Sequence, residues 1–391
     1  MALSNHNCDV LIAGGGPAGL AAAIALRQQG ADVLVADSQR PPIDKPCGEG
    51  LMPDALRALA QLGVPLDRDH GAEFAGICFV SGPTRVSADF PSGPGLGVRR
   101  TTLHQLLLDR ASQLGVRFCW NTPLIFKPGL NEKPTLAAEP IACRWLIGAD
   151  GCASRVRAWA NLDAARQNLA SRGSRRFGFR AHYRFASHFQ PWPTHVEVHW
   201  GPLGQAYITP IGPNEICVSA MTRHPSTRMA EILSAIPFLR DKLAAATPTT
   251  RERGALTLTR RLRRVTGGNI APGNIALIGD ASGSVDAITG EGLALAFRQA
   301  LLLADSLAAG SLALYQARHA SILSLPQRMA ALLLLLDRHP RLRSGTLRVF
   351  AAQPALFRSL LAVHVGAGFG RGAPFDGGFS RPAESSEVNL C

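Results

Sequence analysis

Apolar runs of strand length recur along the chain, and three of them break straight into glycine-bearing turns. Residues 9–13, DVLIA, lead into GGGPAGLAAAIALRQQG, whose alanine-rich part reads as a helix ending at Gly30, and a second strand, DVLVAD, closes on Asp37. Residues 144–160, RWLIGADGCASRVRAWA, form a short apolar strand, a turn holding Gly148, Asp150 and Gly151, and a basic helix start. Residues 274–307 give another strand, then Gly279 and Asp280, a small-residue loop, and Gly290-Glu291-Gly292 opening a long helix. Between these units the period changes. FGFRAHYRF, HVEVHWG, QAYITPIG and EICVSAM, within 177–222, alternate apolar and polar positions and are separated by GPLG and GPN. That pattern predicts antiparallel strands joined by hairpins, and FAGICFV and TRVSADF at 74–90 extend the same sheet. Residues 311–365 read as helices, and the Gly-, Pro- and Ser-rich tail from Gly366 as disordered.

The first unit carries specific chemistry. Gly14, Gly16 and Gly19 have G-x-G-x-x-G spacing between a strand and a helix, with an acid at the end of the next strand. Gly14 permits the tight turn, Gly16 lets the backbone approach a pyrophosphate, and Gly19 lets helix and strand pack closely. A pyrophosphate there meets the positive end of the helix dipole. Asp37 is placed to accept hydrogen bonds from an adenosine ribose, and its charge repels a 2′-phosphate, which argues against NADP at this site.

Composition narrows the class. The 391 residues suffice for two interleaved domains, and 46% hydrophobic with 18% charged is an ordinary globular balance. The net charge of +13 suits nucleic acid, anionic lipid or a phosphate-bearing ligand. The basic residues are scattered, however, with no zinc-finger spacing and no aromatic interleaving, so nucleic acid is not expected. The eight cysteines show no C-x-x-C and no regular spacing, which suggests neither a metal site nor a disulfide framework. The N-terminus lacks a basic region followed by an apolar run, so a reducing cytoplasm is the expected location. No apolar run approaches the roughly 18 to 20 residues that span a bilayer. AALLLLL at 330–336, flanked by Arg328, Arg338, Arg341 and Arg343, reads either as a packed helix or as a peripheral membrane contact.

Together with VRRTTLHQLLLDRA at 98–111, the three units resemble the flavoprotein family that includes p-hydroxybenzoate hydroxylase, flavin-dependent halogenases and geranylgeranyl reductases. The resemblance covers roughly residues 8 to 310, carried by three ordered motifs. It implies an α/β fold, a Rossmann-type FAD-binding domain (a GR2-type flavoprotein) with an inserted antiparallel-sheet substrate domain and C-terminal helices. The expected FAD-binding parts are 1–73, 99–163 and 264–310, and the substrate domain is 74–98 and 164–263. The C-terminal helices are 311–365 and the tail 366–391. By the same resemblance Asp280 contacts the ribityl chain, and the backbone at Gly292 and Leu293 meets the pyrimidine side of the flavin. Asp150 serves FAD and pyridine-nucleotide handling, and Arg100 reaches the pyrophosphate, an expected pairing of arginine with a diphosphate. A C-x-E-G loop, here Cys47 to Gly50 within DKPCGEGLMPD, lies against the isoalloxazine, where Gly48 and Gly50 leave room for a flat ring. Ala18, Leu124, Gly151, Gly279 and Gly290 complete the implied FAD set beside Gly14, Gly16, Gly19 and Asp37. No second G-x-G-x-x-G appears, so NAD(P)H or another electron donor visits transiently.

The reaction is less sharply marked. GDASG, TGEG and CGEG are worded like the geranylgeranyl reductases, yet YITP at 207–210 departs from their aromatic strand motif, and the halogenase W-x-W-x-I-P is absent. Among His182, His195 and His199 on the predicted sheet, His199 is expected to face the pocket, with Tyr207 its rival as a catalytic residue. Glu291 reads as a charge complementing a helix N-terminus. Cys47 either contacts the flavin as a possible catalytic thiol or fills space. The expected function is an FAD-dependent oxidoreductase acting on a hydrophobic small molecule, with oxygenation of an aromatic or polyketide-like substrate first. Reduction of a C=C bond in an isoprenoid or quinone side chain is the rival, and a non-catalytic flavin-binding partner protein is the third reading. The oligomeric state is left open.

Overall fold

The computed structural model describes residues 7–127, 134–136, 139–162, 175–186, 193–262, 264–267 and 274–366. The chain opens with β1 (Cys8–Ala13), α1 (Pro17–Gln28) and β2 (Val33–Ala36), followed by β3 (Gly50–Leu51) and α2 (Pro53–Gln61). A first excursion supplies β4 (Ala72–Phe74), β5 (Gly76–Ser81), β6 (Thr84–Asp89) and β7 (Gly95–Gly97). Helix α3 (Arg100–Gln113) leads back to β8 (Arg117–Cys119), a small hairpin of β9 (Thr135–Leu136) and β10 (Glu139–Pro140), then β11 (Cys143–Gly148) and α4 (Arg155–Trp159). The second excursion contains β12 (Arg175–Phe185), β13 (Val196–Trp200), β14 (Gln205–Gly212) and β15 (Glu215–Thr222). It continues through α5 (Met229–Ser234), α6 (Pro237–Leu243), β16 (Ala246–Pro248) and β17 (Arg253–Leu258). Strand β18 (Ile275–Leu277) returns to the first sheet, and α7 (Gly292–Ala308), α8 (Ala313–Arg338), α9 (Pro340–Ala352) and α10 (Pro354–Gly366) close the described chain. The tail expected to be disordered lies outside the described residues, save Gly366 itself.

The Rossmann sheet has the order β18-β11-β1-β2-β8, with parallel pairing throughout. Helices cover it, so its strands read as unbroken apolar runs rather than alternating ones, and Val10, Leu11, Ile12, Val33 and Ile147 are inaccessible to solvent. Helix α1 is apolar on nearly every side because it is wedged between that sheet, α3 and α7. It stops where Gly30 takes up a left-handed backbone (φ +87°), with the Gly30 and Ala31 amides returning to the Arg27 and Leu26 carbonyls.

The larger sheet runs β16-β12-β15-β14-β13-β5-β6, with β17 also on β12. All its pairings are antiparallel except β13 on β5. Its alternation sorts the side chains cleanly. Phe179, Ala181, Ala206, Ile208, Ile216, Val218 and Ala220 take one face and pack on Met229, Ile232, Leu233 and Leu239 of α5 and α6. Each such fully buried large side chain stabilises the fold by about 1.5–3 kcal/mol. The opposite face carries the cross-strand rows Arg180–Ser219–Tyr207–Val198 and His182–Cys217–Thr209. It looks toward the Rossmann half. A three-stranded sheet, β3-β7-β4, joins the halves, and Gly97 is needed there because a Cβ would sit 1.7 Å from the Pro210 carbonyl oxygen. Helices α9 and α10 lie on β6 and, with α8, bury Met329, Leu333, Leu347, Phe357, Leu361 and Val365 against Val86, Val196, Val198 and Trp200.

Candidate active site

At the end of β1 the chain turns through Gly14 (φ +113°), where a Cβ would lie 2.4 Å from the Ala149 oxygen. A Cβ on Gly19 would meet the Gly14 oxygen at 1.8 Å, whereas the space before Gly16 is empty to 4 Å. The two tight glycines therefore hold helix, strand and the second motif together, and the open one leaves backbone for a ligand. The Asp37 carboxylate accepts from the Gly15 amide (2.7 Å) and the Gln39 amide (2.8 Å), which fixes its direction at the turn. The His104 ring, unforeseen from sequence, braces the same turn by donating to the Gly15 carbonyl at 2.9 Å, and burial holds its pKa down. Ala18 touches the third motif, since a Cβ on Gly279 would stand 2.8 Å from its own.

The remaining FAD candidates line the cleft between the motifs. Arg100 is 7% exposed at the start of α3, and its Nη1 has no protein partner. Burial pulls its pKa down, with Cys47, Asp44, Glu49 and Asp280 opposing. A buried guanidinium with an unfilled donor calls for an anion. Asp150 accepts from the Arg155 (2.6 Å) and Val156 (3.2 Å) amides through Oδ2, and its Oδ1 is left without a partner beside Gly151. Asp280 opens onto solvent through the cleft, yet its deep position raises its carboxyl pKa against the pull of Lys45, Arg100 and Arg157. At the start of α7, nothing lies within 4 Å of where Gly290 and Gly292 would carry side chains, and half-buried Leu293 follows. Leu124 differs, because its side chain is buried in the Rossmann core. The donors, acceptors and bare backbone of this cleft fit an FAD dinucleotide and its ring.

The Cys47–Gly50 loop is held by a network that sequence did not disclose. Glu49 sits at φ +58° with its carboxylate buried. Oε1 accepts from the Arg100 amide (2.9 Å) and Arg180 Nη1 (2.8 Å), and Oε2 pairs with His182 Nε2 (2.7 Å). Burial alone would raise its pKa, but the His182 hydrogen bond and charge, the Arg100 amide and Arg180 keep it below the ordinary value. Arg180 also binds Asp44 (2.8 Å), and His182 Nδ1 meets the Thr250 hydroxyl (3.0 Å). Glu49, His182 and Cys217 converge closely enough to hold a metal ion, but Arg180 already occupies the same carboxylate as a cation. Cys47 is half-buried beside this network, and the protein packed around it raises its thiol pKa, so it is not a ready thiolate.

The two catalytic candidates on the sheet part company. Tyr207 faces the Rossmann half, with its hydroxyl donating to Gln205 Oε1 (3.2 Å) and the Ile288 carbonyl (3.4 Å), and burial raises its phenol pKa. Gln205 is in turn held by Arg176 (2.8 Å) and by Asp337 of α8 (2.8 Å). The expectation that His199 faces the pocket is corrected. In β13 it alternates with Val198 and Trp200, so it points to the opposite face, bonded to Glu197 (2.8 Å) and stacked on Phe238 at 5.7 Å. Arg85 completes that buried group through Glu197. His195 lies at the surface against Asp89 (2.9 Å). Glu291 is also not the helix-end charge expected. Burial and then Asp54 push its carboxyl up to about 8, next to a His364 ring that burial brings down to about 4. Beside Tyr207, Met52, Phe74, Val196, Val198, Trp200, Met221 and Ile288 form an apolar wall.

Residues 7–311 match the FAD binding domain family, and the chain belongs to it. It is an FAD-dependent oxidoreductase. Menaquinone reductase of Mycobacterium tuberculosis is 29% identical over 358 residues, covering 84% of this chain and 85% of its own. Rifampicin monooxygenase of Streptomyces venezuelae is 33% identical over 162 residues, 38% of this chain and 33% of its own. Among solved structures, the flavin-dependent brominase Bmp2 superimposes with a TM-score of 0.76 at 18% identity, over 93% of this chain and 94% of that one. A geranylgeranyl bacteriochlorophyll reductase-like protein of Thermoplasma acidophilum gives 0.61 at 17%, over 92% and 91%. The p-hydroxybenzoate-hydroxylase type of fold expected from the motifs therefore holds.

Proposed function

We propose that the protein hydroxylates a hydrophobic aromatic or polyketide-like molecule, using electrons delivered by NAD(P)H or another visiting donor. The observation that carries this reading is the shape of the chemistry beside the flavin turns. An apolar wall ends in one buried polar group, Tyr207–Gln205–Arg176, which suits a ring with one polar edge. Bound FAD supplies the redox chemistry, and the chain supplies position and dryness. Tyr207 keeps its proton, and its hydroxyl donates to a ring oxygen by turning from its long bonds to Gln205 and Ile288. The α7 N-terminus favours negative charge on a ring placed before Gly292. The matched stretches of rifampicin monooxygenase and of the Escherichia coli 3-(3-hydroxy-phenyl)propionate/3-hydroxycinnamic acid hydroxylase support oxygenation.

Reduction of a C=C bond in an isoprenoid or quinone side chain is a second reading. It is favoured by the menaquinone reductase match, which extends along 84% of this chain where the rifampicin monooxygenase match extends along 38%. The two are separated by supplying reduced, FAD-loaded protein with an alkylphenol or a prenylated quinone, under isotopically heavy oxygen gas or under none. Heavy oxygen in the product supports hydroxylation. A product formed without oxygen and two hydrogens richer overturns it in favour of the second reading.

A further inference from the structure

Helices α8 to α10 carry Arg318, Arg328, Arg338, Arg341, Arg343, Arg348 and Arg358 against a single acid, Asp337. Asp337 and Arg343 point inward. Asp337 binds Arg223 (2.6 Å) and Gln205, and Arg343 binds Ser81 (3.0 Å) over the Trp200 ring. The outward surface is therefore free of acid. It is also apolar. Of the ten large hydrophobic side chains exposed among the described residues, six lie here: Leu332, Leu335, Leu342, Val349, Leu356 and Val363. Their spacing makes one stripe per helix, interleaved with exposed Arg328, Arg338, Arg341, Arg348 and Arg358. None of those five arginines forms an ion pair among the described residues. Because α9 and α10 both lie on β6, their opposite sides face away from the sheet.

We propose that this three-helix face docks on a bilayer bearing anionic headgroups, and that a lipid-soluble substrate enters the site from that side. Leucine and valine stripes bordered by arginines match an anionic interface in both chemistry and charge. The same helices, on their inner side, form the apolar cluster next to Tyr207, so one layer of helix separates membrane and site. Helix α8 is long and apolar enough by composition to cross a membrane, but Ile322, Leu323, Met329, Leu333 and Leu336 are buried in the protein. It lies along the surface instead. A second copy of the chain would set arginine against arginine. The sequence after Gly366 offers only Arg371 and Arg381 against Asp376, Glu384 and Glu387, too little charge to neutralise the face. Docking does not depend on which reaction the site performs.

The test is flotation of the FAD-loaded full chain with phosphatidylcholine vesicles, with and without phosphatidylglycerol, at low and high salt. Binding is expected on the anionic vesicles only and is expected to weaken with salt. Each reversed arginine lowers partitioning by roughly fivefold or more, so Arg341→Glu with Arg348→Glu should abolish it while FAD content stays unchanged. Leu342→Ser with Val349→Ser, a milder pair, should lower it several-fold. Equal binding to both vesicle types, no binding to either, or unchanged binding by both variants overturns the proposal. So does binding that appears only after residues 367–391 are removed, or a dimer that the arginine variant dissolves.

Discussion

Replacing Glu49 by alanine removes one buried carboxylate and three hydrogen bonds at once. The Arg100 amide, Arg180 and His182 all lose an acceptor, at 2.9, 2.8 and 2.7 Å. Arg180 keeps Asp44 and His182 keeps Thr250, so neither is stranded completely. Breaking a buried, hydrogen-bonded charge pair from one side costs about 3–5 kcal/mol, and the retained partners place the expected loss at the lower end, about 3 kcal/mol. Glutamine keeps an acceptor for Arg100 and Arg180 but loses the charge and turns its NH2 toward His182 Nε2, which must then accept, so Glu49→Gln should cost about 1–2 kcal/mol. Glycine adds a second discriminant. At φ +58° a side chain strains the backbone by about 1–2 kcal/mol, so Glu49→Gly should be more stable than Glu49→Ala by about 1 kcal/mol. Urea unfolding of the apoprotein ranks the series, and FAD affinity by fluorescence reports whether the loop still holds the ring. If alanine lies within about 1 kcal/mol of the wild type, or glutamine and alanine coincide, the carboxylate does not anchor this loop.

Three other outcomes are expected. Gly19→Val should abolish FAD binding, read as loss of yellow colour in otherwise folded protein, because even its Cβ would stand 1.8 Å from the Gly14 oxygen. Stability of the apoprotein should fall between about pH 7 and 8. Glu291 keeps its proton to about 8 when folded but releases it near 4.5 when unfolded, so in that interval the folded state binds more protons and loses stability as pH rises. His364 and His319, brought down from 6.5 to about 4, and His104, also lowered by burial, act in the opposite sense, fading out as the unfolded imidazoles lose their protons above 6.5. Melting curves of Glu291→Gln should lose the fall between about pH 7 and 8, and a slope equal to wild type would refute the assignment. Cys47→Ala should retain FAD and turnover, and iodoacetamide at pH 8 should label Cys47 far more slowly than a free thiol, since burial raises its pKa. Rapid labelling would count against a filler role.

The nucleotide half was legible because its signals are local. Strand, turn and helix follow one another within 9–37, and each glycine has a steric reason visible within that window or just across it. The alternating strands of 177–222 were legible for the same reason. What alternation withholds is the face. HVEVHW pairs Glu197 with His199 on one side and Val198 with Trp200 on the other, and only the position of α6 and Arg85 says which side is which. Glu49 was hidden by distance, its partners Arg180 and His182 lying 131 and 133 residues downstream. Glu291 was misread because a helix start normally favours a charged carboxylate. Burial, joined by Asp54, an acid brought alongside by α2, reverses that preference.

The parallel seam between β5 and β13 has a consequence for biogenesis. The sheet that carries Tyr207 is assembled from residues 76–89 and 175–258, and it becomes continuous only when Val196–His199 meet Ile77–Val80. A ribosome therefore releases the β5–β6 hairpin more than a hundred residues before its partner exists. Until then the hairpin presents an unpaired edge and the apolar side chains of Ile77, Phe79, Val86 and Ala88. Edges of that kind invite wrong pairing, and non-local closure is slow. Maturation of this enzyme should be limited by the late arrival of β13, and chaperone capture of nascent chains should peak while they end between β6 and β13.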